Sequence, residues 1–224
     1  MKIKGAIFDM DGTLINSLIV WKDIWAAIAD KYLDGEVGFP GEEIDRKLRT
    51  MTLLEGMDML HSVRGIGKDG YELWEFCNIL IEDFYRNRVE MKSGAMEFLK
   101  YLHENNVKMC IASASALDMV EIAVERCELG RYIPKLLSSC DYGCGKDKPD
   151  VYLVALDYLG TSIEETWVFE DSLVALKTAK GIGMPVVGIY DAYNFGQDEM
   201  KKVADYYIDD GEGLDKLIDE RVFE

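Results

Sequence analysis

Histidine is scarce in this sequence, and its scarcity argues against one class of metal site. The 224-residue chain contains two histidines, His61 and His103, and both lie in stretches with a helical pattern. Zinc sites in proteins combine several histidine and cysteine ligands. Cys140 and Cys144 lack two further ligands at a usable spacing. A zinc site is therefore not expected.

Long apolar runs and a regular cysteine framework are also absent. A membrane-spanning helix needs about 18–20 consecutive apolar residues, and no such run occurs. The first residues lead into a short strand pattern and not into a secretory signal. The five cysteines are an odd number without framework spacing, which favours free thiols in a reducing compartment. We therefore expect a cytoplasmic protein that does not bind or cross a membrane.

Basic residues are few relative to acidic ones. The chain has 25 lysines and arginines against 42 aspartates and glutamates, which gives a formal net charge of −17. Such a charge argues against a nucleic-acid polymer or an anionic membrane as a partner. An anionic small molecule would need a local cation where it binds. We expect a small-molecule substrate and a protein that is a monomer or a weak homodimer.

The hydrophobic pattern changes character along the chain. Residues 4–8 have the pattern of a short buried strand, whereas residues 16–89 contain helical patterns and almost no strand signal. From residue 92 onward, helices and strands alternate, which implies a parallel sheet covered on both faces. Helices are predicted at 94–104, 117–126, 150–159 and 173–180, and strands at 107–112, 135–139, 166–169, 185–190 and 206–208. A short terminal helix is predicted after the last strand.

The predicted fold class is α/β, a doubly wound, Rossmann-like parallel sheet with an inserted all-helical cap domain. Residues 1–15 and 90–224 are predicted to form the catalytic core, and residues 16–89 the cap. The chain is long enough for a core domain with a smaller insert. Within the insert, helices are predicted at 17–33, 42–50, 53–63 and 71–88.

Polar side chains follow the ends of four predicted strands. They are Asp9 and Asp11, Ser113, Lys146 with Lys148, and Glu170 with Asp171. Each of them alone has an ordinary structural explanation, such as a helix cap or a solvated loop charge. In doubly wound sheets, however, ligands bind outside the carboxyl ends of the strands. We therefore expect these side chains to converge in one site.

The chemistry that suits this set is phosphoryl transfer through an acyl phosphate. Asp9 and Asp171 offer oxygen ligands of the kind that Mg²⁺ prefers, with Glu170 and a backbone carbonyl as further candidates. A carboxylate nucleophile must have its repulsion with the substrate phosphate cancelled. Mg²⁺ and the ammonium group of Lys146 can cancel it.

The pair Asp9 and Asp11 is predicted to divide the nucleophile from the acid and base. If the first strand continues to Met10, its period of two places both aspartates on the same side. Two converging carboxylates repel each other unless a cation, a proton or donor groups stabilise them. Asp9 can then attack phosphorus, and Asp11 can protonate the leaving oxygen and later activate water. Ser113 and backbone N–H groups can hold the phosphate oxygens.

Four motifs resemble those of the haloacid dehalogenase superfamily. They are F-D-M-D-G-T at 8–13, I-A-S-A-S at 111–115, G-K-D-K-P-D at 145–150 and V-F-E-D-S at 168–172. The resemblance covers essentially the whole chain, because the insert is similar to the helical cap of the β-phosphoglucomutase and phosphoglycolate-phosphatase branch. It implies a Mg²⁺-dependent phosphatase that forms a phospho-aspartate intermediate.

The resemblance also implies a role for each motif residue. The implied catalytic residues are the nucleophile Asp9, the general acid and base Asp11, and Lys146. The implied metal ligands are Asp9, Asp171, Asp11 through its backbone carbonyl, and Glu170 directly or through water. The implied substrate-binding residues are Thr13, Ser113 and Ala114, together with Lys146.

The third motif departs from the family pattern. Relatives usually have K-P-x-P, whereas this chain has Lys146, Asp147, Lys148 and Pro149. The spacing to Pro149 assigns the motif lysine to Lys146, and Lys148 remains the alternative. Asp147 also introduces a carboxylate beside that lysine, where relatives have a proline.

The second aspartate favours phosphate esters as substrates, because dehalogenases lack it and phosphonate hydrolases have alanine there. β-Phosphoglucomutase-like enzymes tend to have valine where Thr13 stands and a cap histidine near Trp21. A phosphatase for a sugar phosphate or a nucleoside monophosphate is therefore preferred to a sugar phosphomutase. A phospho-accepting receiver module is an alternative from another class, and steady turnover of p-nitrophenyl phosphate would exclude it.

Residues of the insert are candidates for substrate recognition. Trp21 could stack on a base or a sugar, although packing between cap helices is the favoured explanation. Four basic residues could meet a second anionic group of the substrate or could lie on a solvated helix face, namely Lys22, Arg46, Lys47 and Arg49.

Overall fold

The computed structural model describes residues 2–48, 51–142 and 145–223. The chain divides into two compact units, one formed by Met1–Leu18 with Val89–Glu224 and the other by Ile19–Arg88. Arg49 and Cys144, which the sequence analysis considered, lie outside the described residues. In the parts of the chain that are described, no helix combines the length and the apolar character that a membrane span requires.

The first unit is built on a parallel sheet of six strands. The strands are β1 Gly5–Phe8, β2 Lys108–Ser113, β3 Leu136–Ser138, β4 Thr166–Glu170, β5 Val186–Ile189 and β6 Tyr206–Ile208. Their order across the sheet is β3-β2-β1-β4-β5-β6. All residues of β1 and β4 are buried, as expected for central strands of a sheet that helices cover on both faces. The predicted α/β fold class is confirmed.

The strand order brings the ends of the motif strands together. β1 pairs with β2 on one side and with β4 on the other, so the direction of winding reverses at β1. Phe8 is in register with Ile111 of β2 and with Phe169 of β4. The N–H of Asp9 donates to the carbonyl of Phe169 at 2.9 Å. This reversal point is where doubly wound sheets bind ligands.

The helices agree with the predicted segments except for one that the sequence analysis missed. In the first unit they are numbered after the four helices of the second unit: α5 Ala95–Glu104, α6 Leu117–Arg126, α7 Asp150–Leu159, α8 Leu173–Gly181, α9 Gln197–Val203 and α10 Lys216–Asp219. The missed helix is α9. Met200 is its buried residue, so the segment lacks the apolar stripe by which a surface helix is recognised.

The second unit, described by itself, is all-helical. Its helices are α1 Val20–Tyr32, α2 Glu42–Leu48, α3 Leu53–Arg64 and α4 Gly70–Asn87. Thr52 and Glu55 form a reciprocal capping box at the start of α3, and Asp69 caps α4. The last two residues of the helix predicted at 42–50 lie outside the described part of the chain.

A buried ion pair lies close to the segment that re-enters the first unit. The N–H of Lys92 donates to the carbonyl of Leu14. Lys92 Nζ lies 2.6 Å from Asp191 Oδ2 and 3.1 Å from the carbonyl of Tyr190. The side chain of Asp191 is 1% exposed and that of Lys92 is 16% exposed. This pair joins the returning chain to the loop after β5.

Removal of the lysine from this pair is expected to destabilise the protein. In Lys92→Ala, Asp191 would stay buried without a cation, so the free energy of unfolding should fall by about 3 kcal/mol. Lys201→Ala breaks a solvent-exposed pair with Asp209 and should cost much less stability, because water already solvates both charges. Urea unfolding of the two variants measures both values. Equal losses would contradict a special role for the buried pair.

Candidate active site

Asp9 and Asp11 lie in a tight turn directly after β1. The strand ends at Phe8, so the interpretation in which it continues to Met10 is wrong. Met10 instead begins a turn, and its carbonyl accepts the N–H groups of Leu14 and Ile15. The two aspartates consequently have different surroundings: Asp9 is buried and Asp11 is half-buried.

The glycine of the first motif is required by this turn. Gly12 has a φ of +82°, a conformation that residues with a side chain rarely adopt. A Cβ atom at this position would also lie 2.1 Å from Asp171 Oδ2. The first and fourth motifs therefore approach each other so closely that only glycine fits between them.

Three buried carboxylates form an acidic cluster at the ends of β1 and β4. One oxygen from each of Asp9, Glu170 and Asp171 lies within 4.8 Å of the others. Burial, followed by the negative charge of Asp9, raises the pKa of Glu170 to about 8. Burial and then the charges of Asp9 and Glu170 also raise the pKa of Asp171. A positive charge is needed for all three groups to be ionised together.

The cluster fits a hard divalent cation with oxygen ligands. Asp9 Oδ2 is buried and has no hydrogen-bond partner among the described residues. Such an oxygen costs free energy unless a ligand binds it. Among the residues that the structure describes, Asp9, Glu170 and Asp171 form the group of side chains that could hold a metal ion.

Lys146 supplies a positive charge from the protein itself. Its Nζ lies 2.5 Å from Asp9 Oδ1 and 2.7 Å from Glu170 Oε2. Burial lowers the pKa of Lys146, but the charges of Asp9 and Glu170 more than offset this and raise it. Lys148, the alternative motif lysine, is exposed. The hydroxyl of Tyr152, which the sequence analysis did not consider, donates to Glu170 Oε2 at 3.4 Å.

Two serine hydroxyls hold the carboxylate of Asp11. Ser17 Oγ donates to Asp11 Oδ1 at 2.7 Å, and Ser115 Oγ donates to Asp11 Oδ2 at 2.8 Å. Neither serine was predicted from the sequence. Ser115 stands in the second motif, two residues after Ser113, and this position was the available signal. Ser17 lies in the connection towards α1, where nothing in the local pattern marks it.

The predicted phosphate-binding residues surround the same strand ends. Ser113 is buried at the end of β2, and its hydroxyl oxygen accepts the N–H of Ser115 at 3.0 Å. Ala114, the residue after β2, is exposed, and Cys140 Sγ donates to its carbonyl. Thr13 Oγ1 is buried and has no partner among the described residues. Thr13 therefore has an unsatisfied polar atom, as Asp9 does, and it follows Asp9 closely in the sequence.

Known proteins share this sequence pattern. A family model described as haloacid dehalogenase-like hydrolase matches residues 3–183. The chain belongs to this family. It is 26% identical over 200 residues to the "Phosphorylated carbohydrates phosphatase" of Thermotoga maritima, with 87% of this chain and 89% of that protein covered. It is 30% identical over 196 residues to the "Probable pseudouridine-5'-phosphatase" of Drosophila melanogaster, with 85% and 83% covered.

A solved structure shares the fold of this haloacid dehalogenase-like hydrolase. A candidate β-phosphoglucomutase from Thermotoga maritima superposes with a TM-score of 0.79 at 21% identity, covering 98% of this chain and 99% of that one. The predicted superfamily and its β-phosphoglucomutase and phosphoglycolate-phosphatase-like branch are confirmed. The predicted enzyme class, a phosphoric monoester hydrolase, is confirmed as well.

Two candidate recognition residues of the hydrolase's helical unit, Trp21 and Arg46, make contacts within that unit. The ring of Trp21 lies 5.1 Å from that of Trp25, centroid to centroid, and is half-buried. Arg46 donates to Glu42 at 2.9 Å in an exposed pair, and Lys22 and Lys47 are exposed. These contacts account for the packing of Trp21 and leave its role in substrate binding a prediction.

Proposed function

We propose that this hydrolase is a Mg²⁺-dependent phosphatase that transfers a phosphoryl group from a small metabolite to Asp9 and then to water. The observation that supports this most strongly is the environment of Asp9. One of its oxygens is held by Lys146, and the other is buried and has no hydrogen-bond partner in the part of the chain that the structure describes. The same carboxylate clusters with those of Glu170 and Asp171. A carboxylate in this setting is prepared for both a cation and a phosphate.

The proposed cation site uses oxygen atoms at the ends of β1 and β4. Asp9 and Asp171 would bind Mg²⁺ through their carboxylates, Asp11 through its backbone carbonyl, and Glu170 directly or through water. When bound, Mg²⁺ neutralises the cluster and the non-bridging oxygens of the substrate phosphate. Lys146 would orient Asp9 and add positive charge through its bond to Asp9 Oδ1.

The proposed reaction has two steps. Asp11 gives a proton in the first step and takes one in the second. Asp9 attacks phosphorus, the bond to the leaving oxygen breaks, and Asp11 gives that oxygen a proton. Asp11 then takes a proton from a water molecule that attacks the acyl phosphate, and the bond between phosphorus and Asp9 breaks. Thr13, Ser113 and Ala114 are proposed to hold the phosphate oxygens during both steps. Ser17 and Ser115 keep the carboxylate of Asp11 in place.

The proposed substrate is a sugar phosphate or a nucleoside monophosphate. The names of the relatives include a phosphatase of phosphorylated carbohydrates and one of pseudouridine 5′-phosphate, which supports this substrate class. The helical unit is proposed to act as a cap that excludes water while Asp9 is attacked. Trp21 and the basic residues Lys22, Arg46 and Lys47 remain candidates for contacts with the rest of the substrate.

The proposed setting is a cytoplasmic enzyme, monomeric or weakly dimeric, without nucleic-acid or membrane partners. The net charge of −17 supports the absence of polyanionic partners. Four cysteines among the described residues are free thiols, which suits a reducing compartment: Cys77, Cys110, Cys127 and Cys140.

A panel of phosphate esters tests the proposed substrate class. The purified enzyme with Mg²⁺ is expected to release inorganic phosphate from members of a set of sugar phosphates and nucleoside 5′-monophosphates. Phosphate release and the organic product are measured together. Conversion of a sugar phosphate into its isomer without release of phosphate would contradict the proposal and show a phosphomutase.

Removal of divalent cations is expected to abolish turnover. Without a cation, the buried carboxylates would repel the substrate phosphate, since the one positive charge of Lys146 cannot balance three buried carboxylates. Activity in excess EDTA should fall to background and return when Mg²⁺ is added above the chelator concentration. EDTA already saturated with Mg²⁺ is the control for effects of the chelator itself. Full activity in metal-free EDTA would rule out the proposed cation site.

A further inference from the structure

The loop between β5 and α9 reaches the acidic cluster through the side chain of Asn194. Asn194 Nδ2 donates to the backbone carbonyl and to Oδ2 of Asp171, both at 3.0 Å. Asp171 is buried, and its Oδ2 also occupies the space that a side chain at position 12 would need. The orientation of the Asp171 carboxylate is therefore set by the Asn194 amide on one side and by the turn at Gly12 on the other.

Asp191 anchors the loop that carries Asn194. Asp191 Oδ2 accepts Lys92 Nζ, and Asp191 Oδ1 accepts the N–H of Tyr193 at 2.8 Å. The carbonyl of Asp191 accepts the N–H of Asn194 at 3.1 Å and the side-chain amide of Gln197 at 3.0 Å. The side chain of Asn194 makes one local bond of its own, because its Oδ1 accepts the N–H of Phe195 at 2.9 Å. The bonds of Asp191 remain when the Asn194 side chain is removed, so the loop should stay folded.

We propose that Asn194 is a positioning residue for the metal ligand Asp171. The inference rests on the proposed function, because it concerns the same cation site. An amide donor bound to one oxygen of a ligating carboxylate restricts its rotation, so less conformational freedom is lost when the cation binds. Partners of this kind typically contribute 10- to 100-fold to metal affinity or activity. Asn194 adds no charge to the cluster, so its effect is one of orientation.

The effect of Asn194 should be seen in metal binding before it is seen in catalysis. In Asn194→Ala, the dissociation constant for Mg²⁺ should rise by about 10- to 100-fold. At saturating Mg²⁺ the cation itself orients Asp171, so KM for the phosphate ester should stay near the wild-type value. Asn194→Ser retains a polar side chain that is too short for the same bond, and the same loss of affinity is expected.

Isothermal titration of Mg²⁺ alone into the full-length, metal-free protein measures this affinity without any turnover. Asn105→Ala is the matched control, because Asn105 is an exposed residue of the same unit whose amide donates to the carbonyl of Tyr101. It should bind Mg²⁺ as the wild type does. Thermal unfolding of the metal-free proteins shows whether a variant has lost stability instead of affinity.

The outcomes separate this inference from the function on which it rests. If the wild type binds no Mg²⁺, the proposed cation site is wrong and the role of Asn194 is wrong with it. If the wild type binds Mg²⁺ and both Asn194 variants bind it equally well, the inference alone is overturned. A lower thermal midpoint with unchanged Mg²⁺ affinity also overturns it, because Asn194 would then have only a structural role.

Discussion

The Asp11→Asn variant is expected to accumulate phosphate on Asp9 when it is given an ester with a good leaving group. Such an ester needs little protonation as it leaves, so the first step still proceeds. The amide cannot take a proton from water, so hydrolysis of the acyl phosphate should slow by about 10²–10⁴. The intermediate therefore forms faster than it breaks down.

The structure indicates that this variant keeps the geometry of the site. Ser17 and Ser115 donate one hydrogen bond to each oxygen of Asp11. An asparagine can accept from one serine through its carbonyl oxygen and donate to the other through its amide. The ligand proposed at position 11 is a backbone carbonyl, which the substitution does not change. The loss should therefore be one of proton transfer and not of folding.

Intact mass at low pH measures the outcome as one added phosphoryl group, and peptide mapping locates it. Asp9→Asn is the control, since it lacks the nucleophile and should show neither adduct nor turnover. An adduct on Ser113, or turnover of Asp11→Asn at the wild-type rate, would show that the roles assigned to the two aspartates are wrong.

The Lys146→Ala variant is expected to lose about 10²–10³ in kcat/KM, the usual effect of removing one group that stabilises transition-state charge. Lys146 is buried between Asp9 and Glu170, with 7% of its side chain exposed. Its removal would leave the nucleophile without its protein cation. Lys148 is exposed, so Lys148→Ala should remain close to the wild type.

These two lysines form a matched pair, because they are two residues apart and carry the same charge. Steady-state kinetics at saturating Mg²⁺ compare the two alanine variants directly. Circular dichroism of both proteins shows whether Lys146→Ala remains folded with its buried carboxylates uncompensated. A greater loss for Lys148→Ala, or equal losses, would show that the third motif has been aligned wrongly.

Most of the core fold was predictable because its elements have strong periodic signals. The alternation of short apolar runs with amphipathic helices after residue 92 predicted the parallel sheet, and the structure confirms that fold class. The helix α9 was not predicted, since Met200 is its buried residue and its pattern is therefore weak. The end of β1 was also misplaced. Nothing in the sequence showed that the turn closes on Met10 before Asp11 is reached.

The candidate site was predictable only where its residues follow strand ends. Asp9, Lys146, Glu170 and Asp171 follow such ends, and the fold brings them together. Asn194 lies 23 residues after Asp171 in a loop without a recognisable motif. The contact between Asn194 and Asp171 depends on how that loop is anchored, and no local sequence pattern indicates this.

The sequence by itself determined the family, the sheet and the residue types at the reactive centre, because these depend on local patterns and on order along the chain. The tertiary structure alone decided which groups surround each carboxylate. Asp9 contacts Lys146, whereas Asp11 lies between two serines, although only Met10 stands between the two aspartates in the sequence. Hydrogen bonds between distant segments act over about 3 Å, and only the packed chain sets such distances.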